Sequence, residues 1–449
     1  MAKLDGLVVL IKGGIPGDVV KAQITKKKTN YAEAQILQIM KESELRTKPI
    51  CSHFGLCGGC TWQDLKYEEQ LKFKTKQVKE SLKHIGGFCE CILRSDSPIQ
   101  DALGSDEIFY YRNKMEYAFA PDHDKHLILG LHPKERFAQV FDLKECFLQS
   151  EKANRIVEFV RNFTKEKKLL PYDLKARSGF LRFLAIREGK NTDMTMVNLV
   201  TNKGEFPFKD EFSSRLLSNF PTVKSVVRNI TSKLANIAVG EEEELLGGER
   251  IISEKLSNFK FEISSNSFFQ TNTRQAEKLY EVVLNMADLQ GNELVLDLYC
   301  GTGTISIFLS QNAKKIIGVE SVKESVENAQ RNAELNGVTN CEFVCGEVKK
   351  ILAKIGADKQ IPDLVVVDPP RAGLHKHVVK SLLNMRAPRI VYVSCNPSTL
   401  ARDLKILCEE HYQLEKAQPI DMFPHTYHIE TVVKLNAVKS IGLTPQIPR

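Results

Sequence analysis

No stretch of this 449-residue chain approaches the ~20 consecutive apolar residues of a membrane span. The apolar run near the start, Leu7 to Ile11, is too short for the core of a signal peptide, and Asp5 stands just before it. No membrane association is therefore expected, and the expected compartment is the cytoplasm. No internal repeat or low-complexity segment is evident, which argues against repeat arrays and disordered tracts. Nor is there a strong charge imbalance. The chain has 63 Lys and Arg against 56 Asp and Glu, a net charge of +7. That is compatible with a polyanionic partner and does not establish one. Cysteine is the exception to these shortages. Eleven are present, unevenly spaced in a long chain without a leader. That pattern points to reduced thiols, a metal or catalysis over a disulfide framework. The length suggests about three domains.

Residues 1–42 alternate as short strands, Leu7 to Ile11, Val19 to Ile24 and Tyr31 to Ile39. Gly13-Gly14 and Pro16-Gly17 are turn signals between the first two. The pattern predicts a small β-barrel of the kind that grips nucleic acid, with Lys26, Lys27 and Lys28 in a basic loop. A polar linker with Pro49 follows. Then Cys51-Ser-His53-Phe-Gly-Leu-Cys57-Gly-Gly-Cys60 sets three thiols close together, with Gly58 and Gly59 letting the backbone fold round a ligand. A fourth ligand must come from elsewhere. Cys146 is the first candidate, with Cys89 and Cys91 as rivals. Spacing leaves zinc and an iron–sulfur cluster both open, and His53 can also ligate zinc.

The spacing predicts a helix over 67–85. A mixed domain follows to about residue 270, with a helix over 151–163 and strands from Tyr110 to near Ala120 and over 127–131, 137–141, 180–188 and 192–200. Arg112 and Lys114, with tyrosines beside them, suit the clamping of an RNA strand. From about residue 275 the rhythm becomes strand–helix–strand. Strands are expected over 294–298, 316–320, 341–344, 364–368 and 390–394, with helices over 274–286 and 322–336. A last strand over 427–435 should pair antiparallel, and 439–449 reads as a loose tail.

The chain is organised around Ile390 to Pro397, Ile-Val-Tyr-Val-Ser-Cys-Asn-Pro. It predicts a buried strand ending in Cys395, then a helix with Asn396 as N-cap and Pro397 in its first position. Cys395 should therefore sit at a carboxyl strand end, with the positive end of a helix favouring its thiolate. A lone cysteine here would read as core; its company argues otherwise. Gly301-x-Gly303 follows the first strand, but the dinucleotide pattern wants a third glycine where Ser306 stands, which disfavours NAD. Glu320 closes the second strand, placed to accept ribose hydroxyls of a nucleotide or of S-adenosylmethionine. Asp368-Pro369-Pro370-Arg371 ends the fourth strand, its prolines fixing the backbone so that Asp368 projects into the crevice. Glu430 lies in an otherwise apolar strand, which is costly unless the carboxylate works or is paired. His425 and His428 precede it without the helical pair of a zinc motif.

Together these residues suit attack on an unreactive ring carbon. Carbon 5 of uracil is too poor a nucleophile to take a methyl group directly. A thiolate adding to carbon 6 activates it, and a base must then remove the carbon-5 proton. The target base has to be unpaired or flipped out of any duplex.

Ser394-Cys395-Asn396-Pro397, Asp368-Pro369-Pro370-Arg371, Ser267-Phe-Phe-Gln270-Thr-Asn272 and His428-Ile-Glu430, in this order, closely resemble the RNA (uracil-5-)-methyltransferase family over nearly the whole chain. The resemblance implies an α/β fold. It pairs a Rossmann-like S-adenosylmethionine-dependent domain over 271–438 with a TRAM-like RNA-binding barrel over 1–42 and a mixed central domain over 43–270. It also implies a 4Fe-4S cluster on Cys51, Cys57, Cys60 and Cys146. Cofactor contacts are implied for Gln270, Tyr299, Glu320 and Asp368. Cys395 is implied as nucleophile and Glu430 as base. Members with the four cysteines look most like those that modify 23S ribosomal RNA, which favours ribosomal over transfer RNA. A non-catalytic iron–sulfur RNA-binding protein is the alternative of another class. The enzyme is expected to act as a monomer.

Overall fold

The apolar runs that end in the chemically marked residues form one sheet. The computed structural model describes residues 2–94, 96–233, 237–357 and 361–438, and the expected tail at 439–449 lies outside them. Leu294–Leu298, Lys315–Glu320, Cys341–Cys345, Leu364–Val367 and Arg389–Ser394 pair in parallel. Glu430–Ala437 joins Arg389–Ser394 antiparallel, as expected, and Tyr412–Ile420 forms the edge beyond it. Strand order reverses at Leu294–Leu298, which lies between Lys315–Glu320 and Leu364–Val367. Open α/β sheets bind ligands beyond the carboxyl ends at such a point.

The alternation of the strands decides what covers each face. Val295, Leu364, Val366, Val391 and Val393 pack on one side with helices Thr273–Ala287 and Thr304–Leu309 and the hairpin of Ile252–Leu256 and Phe259–Ile263. Leu296, Val365, Val367 and Ile390 pack on the other with Lys376–Met385, Pro397–Glu410 and Tyr67–His84. Both faces are therefore buried, as continuous apolar strands require.

A second seven-stranded sheet runs in the order Glu242–Gly248, Val223–Ile230, Thr195–Thr201, Leu181–Glu188, Lys114–Pro121, Leu127–Leu131 and Phe141–Asp142. Helices Glu151–Glu166 and Lys209–Asn219 cover it. Ser150 caps the first of them by accepting the Ala153 N–H. At the N-terminus, Ala2–Leu4, Leu7–Lys12, Val19–Lys27 and Tyr31–Lys41 make a four-stranded sheet. Arg46 fastens that sheet to the cysteine segment through ion pairs of 2.6 Å to both Asp18 and Asp64. Among the described residues no helix is long and apolar enough to cross a membrane.

Several expectations need correction. Lys26 and Lys27 belong to the long strand Val19–Lys27, and the turn begins at Lys28, whose N–H bonds back to the Tyr31 carbonyl. The strand expected over 137–141 shrinks to Phe141–Asp142, because 133–139 fold into successive turns after Pro133. The strand expected from Tyr110 starts at Lys114. Tyr110 has positive φ, and residues 110–113 leave the sheet to bond with Phe147, Leu148 and Thr271. This turns the proposed RNA clamp inward. Tyr111 is buried with its hydroxyl on the Pro424 carbonyl, and Arg112 lies over the Phe423 ring.

Candidate active site

Register brings Cys395 and Glu430 together. Ser394 pairs with Thr431 at the last rung of the antiparallel ladder, so Cys395 and Glu430 come next on the two strands, and the charge of Glu430 reaches the Cys395 thiol. Cys395 is half-buried, not sealed in the core. The following helix starts as expected, with Pro397 in its first turn and the Asn396 side chain accepting the Ser398 N–H at 3.0 Å. The turn after Asp368-Pro-Pro is fastened to this helix. Asn396 and Thr399 donate to the Arg371 carbonyl, and Arg402 donates to those of Ala372 and Leu374. Asp403, buried beneath, accepts the Leu374 N–H at 2.7 Å and the Tyr392 hydroxyl at 2.8 Å.

The electrostatics follow from this crowding. Burial pushes the Cys395 thiol up, the charge of Glu430 adds to it, the Arg371 guanidinium opposes and Asp368 adds again. The helix end alone therefore does not leave a thiolate here, contrary to the sequence expectation. Glu430 is 7 % exposed. Burial and the charge of Asp368 hold its carboxyl well above the carboxylate range, with Arg371 opposing. Asp368 is pushed up to about 7 by burial and by Asp297. Asp297, fully buried, is also pushed up to about 7, chiefly by burial, although Ser306 donates to it at 2.6 Å. A line of coupled carboxyls thus runs from the end of Leu294–Leu298 to Glu430. His428 lies 3.5 Å from the Arg371 guanidinium, and burial and Arg371 push its imidazole down to about 4.

Three of the four cofactor candidates are level in the sheet. Leu298 pairs with Val319 on one side and Val367 on the other, so Tyr299, Glu320 and Asp368 each come next at adjacent carboxyl ends. Tyr299 turns with a φ of 65° and bonds its N–H to the Val319 carbonyl. One Glu320 oxygen accepts the N–H groups of Ser321 and Val322 and the Ser321 hydroxyl; the other accepts the Gly301 N–H at 3.3 Å. A Cβ on Gly301 would meet nothing within 4 Å, so the loop faces open space. Gln270 arrives by another route. Its carbonyl accepts the Asn113 amide at 2.8 Å, and Asn272 beside it donates to the Met422 carbonyl, laying this segment against the loop before Glu430.

The cysteine site also assembles. Cys51, Cys57, Cys60 and Cys146 line one cavity with Phe54, Met115 and other apolar side chains. Gln63 accepts the Cys51 N–H and points its amide at the Cys60 sulfur, while the Gly59 N–H lies 3.3 Å from the Cys57 sulfur. Burial pushes the thiols of Cys57 and Cys60 up to about 11 and about 12. His53 is occupied, its Nε2 accepting the Lys144 N–H. The rivals Cys89 and Cys91 pair with each other.

Sequence reasoning gave Arg371 no role of its own; its cationic field over both Cys395 and Glu430 is tertiary. It also passed over Asp297 and Tyr280. Tyr280 is buried among the charges of Asp368, Glu430 and Asp297. Asp297 was readable as a carboxylate in an apolar strand, by the logic applied to Glu430.

Residues 237–438 match the family described as tRNA (Uracil-5-)-methyltransferase, and residues 1–37 match the TRAM domain. An uncharacterized RNA methyltransferase of Clostridium acetobutylicum is 40% identical over 98% of this chain and 94% of its own length. One of Chlorobaculum tepidum is 40% identical over 95% and 91%. The crystal structure of the Pyrococcus abyssi tRNA (uracil-54, C5)-methyltransferase in complex with S-adenosyl-L-homocysteine is similar at 32% identity and a TM-score of 0.75, covering 96% of each chain. The chain is an S-adenosylmethionine-dependent methyltransferase, and it belongs to the RNA (uracil-5-)-methyltransferase family.

Proposed function

We propose that the enzyme methylates carbon 5 of one uridine through a transient bond between the Cys395 sulfur and carbon 6. The observation that carries this is that Cys395 and Glu430 come next beyond the last rung of the ladder, within the field of Arg371. Burial raises the carboxyls of Asp368 and Glu430, which lessens their repulsion of a thiolate, while Arg371 attracts it. Cys395 gives its proton to solvent and its sulfur adds to carbon 6, moving the ring electrons onto the carbon-4 oxygen and carbon 5. Carbon 5 then takes up the methyl group. With the sulfur bonded, Glu430 no longer faces a thiolate; its ionised form, any proton it held having passed to solvent, removes the carbon-5 proton. The ring double bond re-forms and the thiolate leaves. One proton is released per methyl transferred.

The donor site fits S-adenosylmethionine, which supplies an electrophilic methyl group when bound. Gln270, Tyr299, Glu320 and Asp368 would hold it. The open face of Gly301 leaves room for it, and the acid-lined edge suits a sulfonium cation. The residues of the cysteine cavity fit a 4Fe-4S cluster, with four thiols lining one largely apolar cavity. Cys51, Cys57, Cys60 and Cys146 would hold it, shielded by apolar neighbours. We assign 1–42 to RNA binding, 43–270 to the cluster-bearing domain and 271–438 to methyl transfer, in a cytoplasmic monomer.

The four-cysteine pattern favours 23S ribosomal RNA as substrate. A transfer RNA uridine is the second reading, favoured by the likeness to the Pyrococcus abyssi tRNA (uracil-54, C5)-methyltransferase. Mapping 5-methyluridine in both RNA pools of a deletion strain, with and without the restored gene, separates the two. Loss of no 5-methyluridine from either pool contradicts both.

A further inference from the structure

The residues that lead into Glu430 are held by a helix far away in the chain. Residues 421–428 form a strap between the strands Tyr412–Ile420 and Glu430–Ala437. Asp421, fully buried, accepts from Lys74 Nζ at 2.6 Å on one oxygen and from the Tyr67 hydroxyl at 2.9 Å on the other. Lys74, also fully buried, donates as well to the Phe423 carbonyl at 3.2 Å. Gln70 accepts the His425 N–H at 2.9 Å, and its amide nitrogen lies 3.2 Å from His425 Nδ1. Thr61 and Trp62, next to Cys60, donate their N–H groups to the His425 carbonyl at 2.8 and 2.9 Å. Tyr67, Gln70 and Lys74 fall on one face of the helix Tyr67–His84, by their spacing of three, four and seven. Their grip holds His425 at a φ of 64°, a left-handed backbone that persists only where surrounding contacts fix it.

The side-chain hydrogen bonds of Tyr67, Gln70 and Lys74 go to this strap and to Trp62, Leu65 and Ser105, and none goes to Cys395. It is placed by the parallel sheet and by its own helix start. Glu430 stands two residues beyond the strap's end. We propose that Tyr67, Gln70 and Lys74 are positioning residues for proton abstraction: they set the strap, and the strap aims the Glu430 carboxyl at carbon 5. A buried ion pair is poor evidence of stability but strongly fixes the geometry of what it joins. The inference rests on the assignment of Cys395 and Glu430 above.

The test separates the two halves of the reaction. Adduct formation and adduct resolution are timed by rapid quench with labelled RNA and S-adenosylmethionine, in Tyr67→Phe, Lys74→Met, Lys74→Met with Asp421→Asn, and Glu430→Gln. Small displacements of a catalytic group slow a step by up to about a hundredfold. Lys74→Met should therefore slow resolution by about tenfold or more while formation stays within about twofold. Tyr67→Phe, which leaves no unpaired charge, should shift the same ratio by a smaller factor and decides the matter if Lys74→Met does not fold. The neutral pair Lys74→Met with Asp421→Asn should recover part of the loss. Equal slowing of both steps in Tyr67→Phe, or no change in either, overturns the inference. If Glu430→Gln itself accumulates no adduct, the base assignment falls and this inference with it. If Glu430→Gln accumulates adduct and Tyr67→Phe does not shift the ratio, the strap alone is wrong.

Discussion

Replacing Glu430 by Gln should freeze the enzyme halfway through its reaction. The side chain is buried, and its ionisation is governed by burial, by Asp368 and by Arg371. Its carboxyl is raised well above the usual range, so burial favours the neutral form relative to an exposed glutamate. The amide copies that neutral form in shape and charge, so the thermal midpoint should stay within about 2 °C. What is lost is the capacity to accept the carbon-5 proton. A positioned base contributes ~10²–10⁴ in rate, which corresponds to about 2.7–5.5 kcal/mol of transition-state stabilisation. Adduct formation does not use the base, so RNA-linked protein should build up toward one per enzyme while turnover falls by that factor. Denaturing gel electrophoresis with labelled RNA, beside a turnover assay, reads both quantities. A loss of less than about tenfold in turnover, or a loss without accumulated adduct, refutes the assigned role.

Cofactor binding should be linked to proton release. Burial pushes both Asp297 and Asp368 up to about 7, with Glu320 adding to the first and Asp297 to the second, so the neutral forms gain below that pH and the anions above it. S-adenosylmethionine affinity should rise as pH goes from about 6 to about 8, by no more than tenfold per pH unit per coupled proton; S-adenosylhomocysteine, uncharged at sulfur, should show a shallower rise. Calorimetry in buffers of different ionisation heat checks this, and a flat or falling affinity contradicts it. Cys60→Ser, on a sulfur at the cavity, should remove the visible absorbance and most of the iron of the anaerobically purified protein; unchanged iron content contradicts the cluster assignment. Arg46→Ala breaks the ion pairs that fasten the N-terminal sheet to the cysteine segment. It should raise the KM for RNA several-fold with kcat within about twofold, and the reverse pattern would place Arg46 in the chemistry instead.

Much of the methyl-transfer half was legible because buried parallel strands announce themselves. Ile390 to Ser394 is apolar on both faces, and the chemistry begins where it stops. The same rule located Glu320 and Asp368. Strands that serve an edge were not legible. Glu242–Gly248 is rich in glutamate and half-exposed, and Tyr412–Ile420 mixes charge with Pro419. The hairpin around Ser257 and Asn258 was missed because its burial comes from helix Thr273–Ala287, not from its own sheet. Three of the four cysteines that line one cavity were visible in one segment, and Cys146, chosen as the fourth ahead of Cys89 and Cys91, lines the same cavity. Least visible was the pairing of Lys74 with Asp421, 347 positions apart. Alone, each reads as a solvated surface charge. Arg112 failed for the opposite reason, since its basic, aromatic surroundings look like an RNA clamp until the backbone turns at Tyr110.

The central claim is that one sulfur bonds to the base. Glu430→Gln protein incubated with substrate RNA and S-adenosylmethionine, digested with nuclease and protease, should yield a single modified peptide. Tandem mass spectrometry should place a methylated uridine nucleotide on Cys395. The adduct should vanish in Cys395→Ala, which still binds the cofactor. A nucleotide found on any other residue, or 5-methyluridine still formed by Cys395→Ala, contradicts the account.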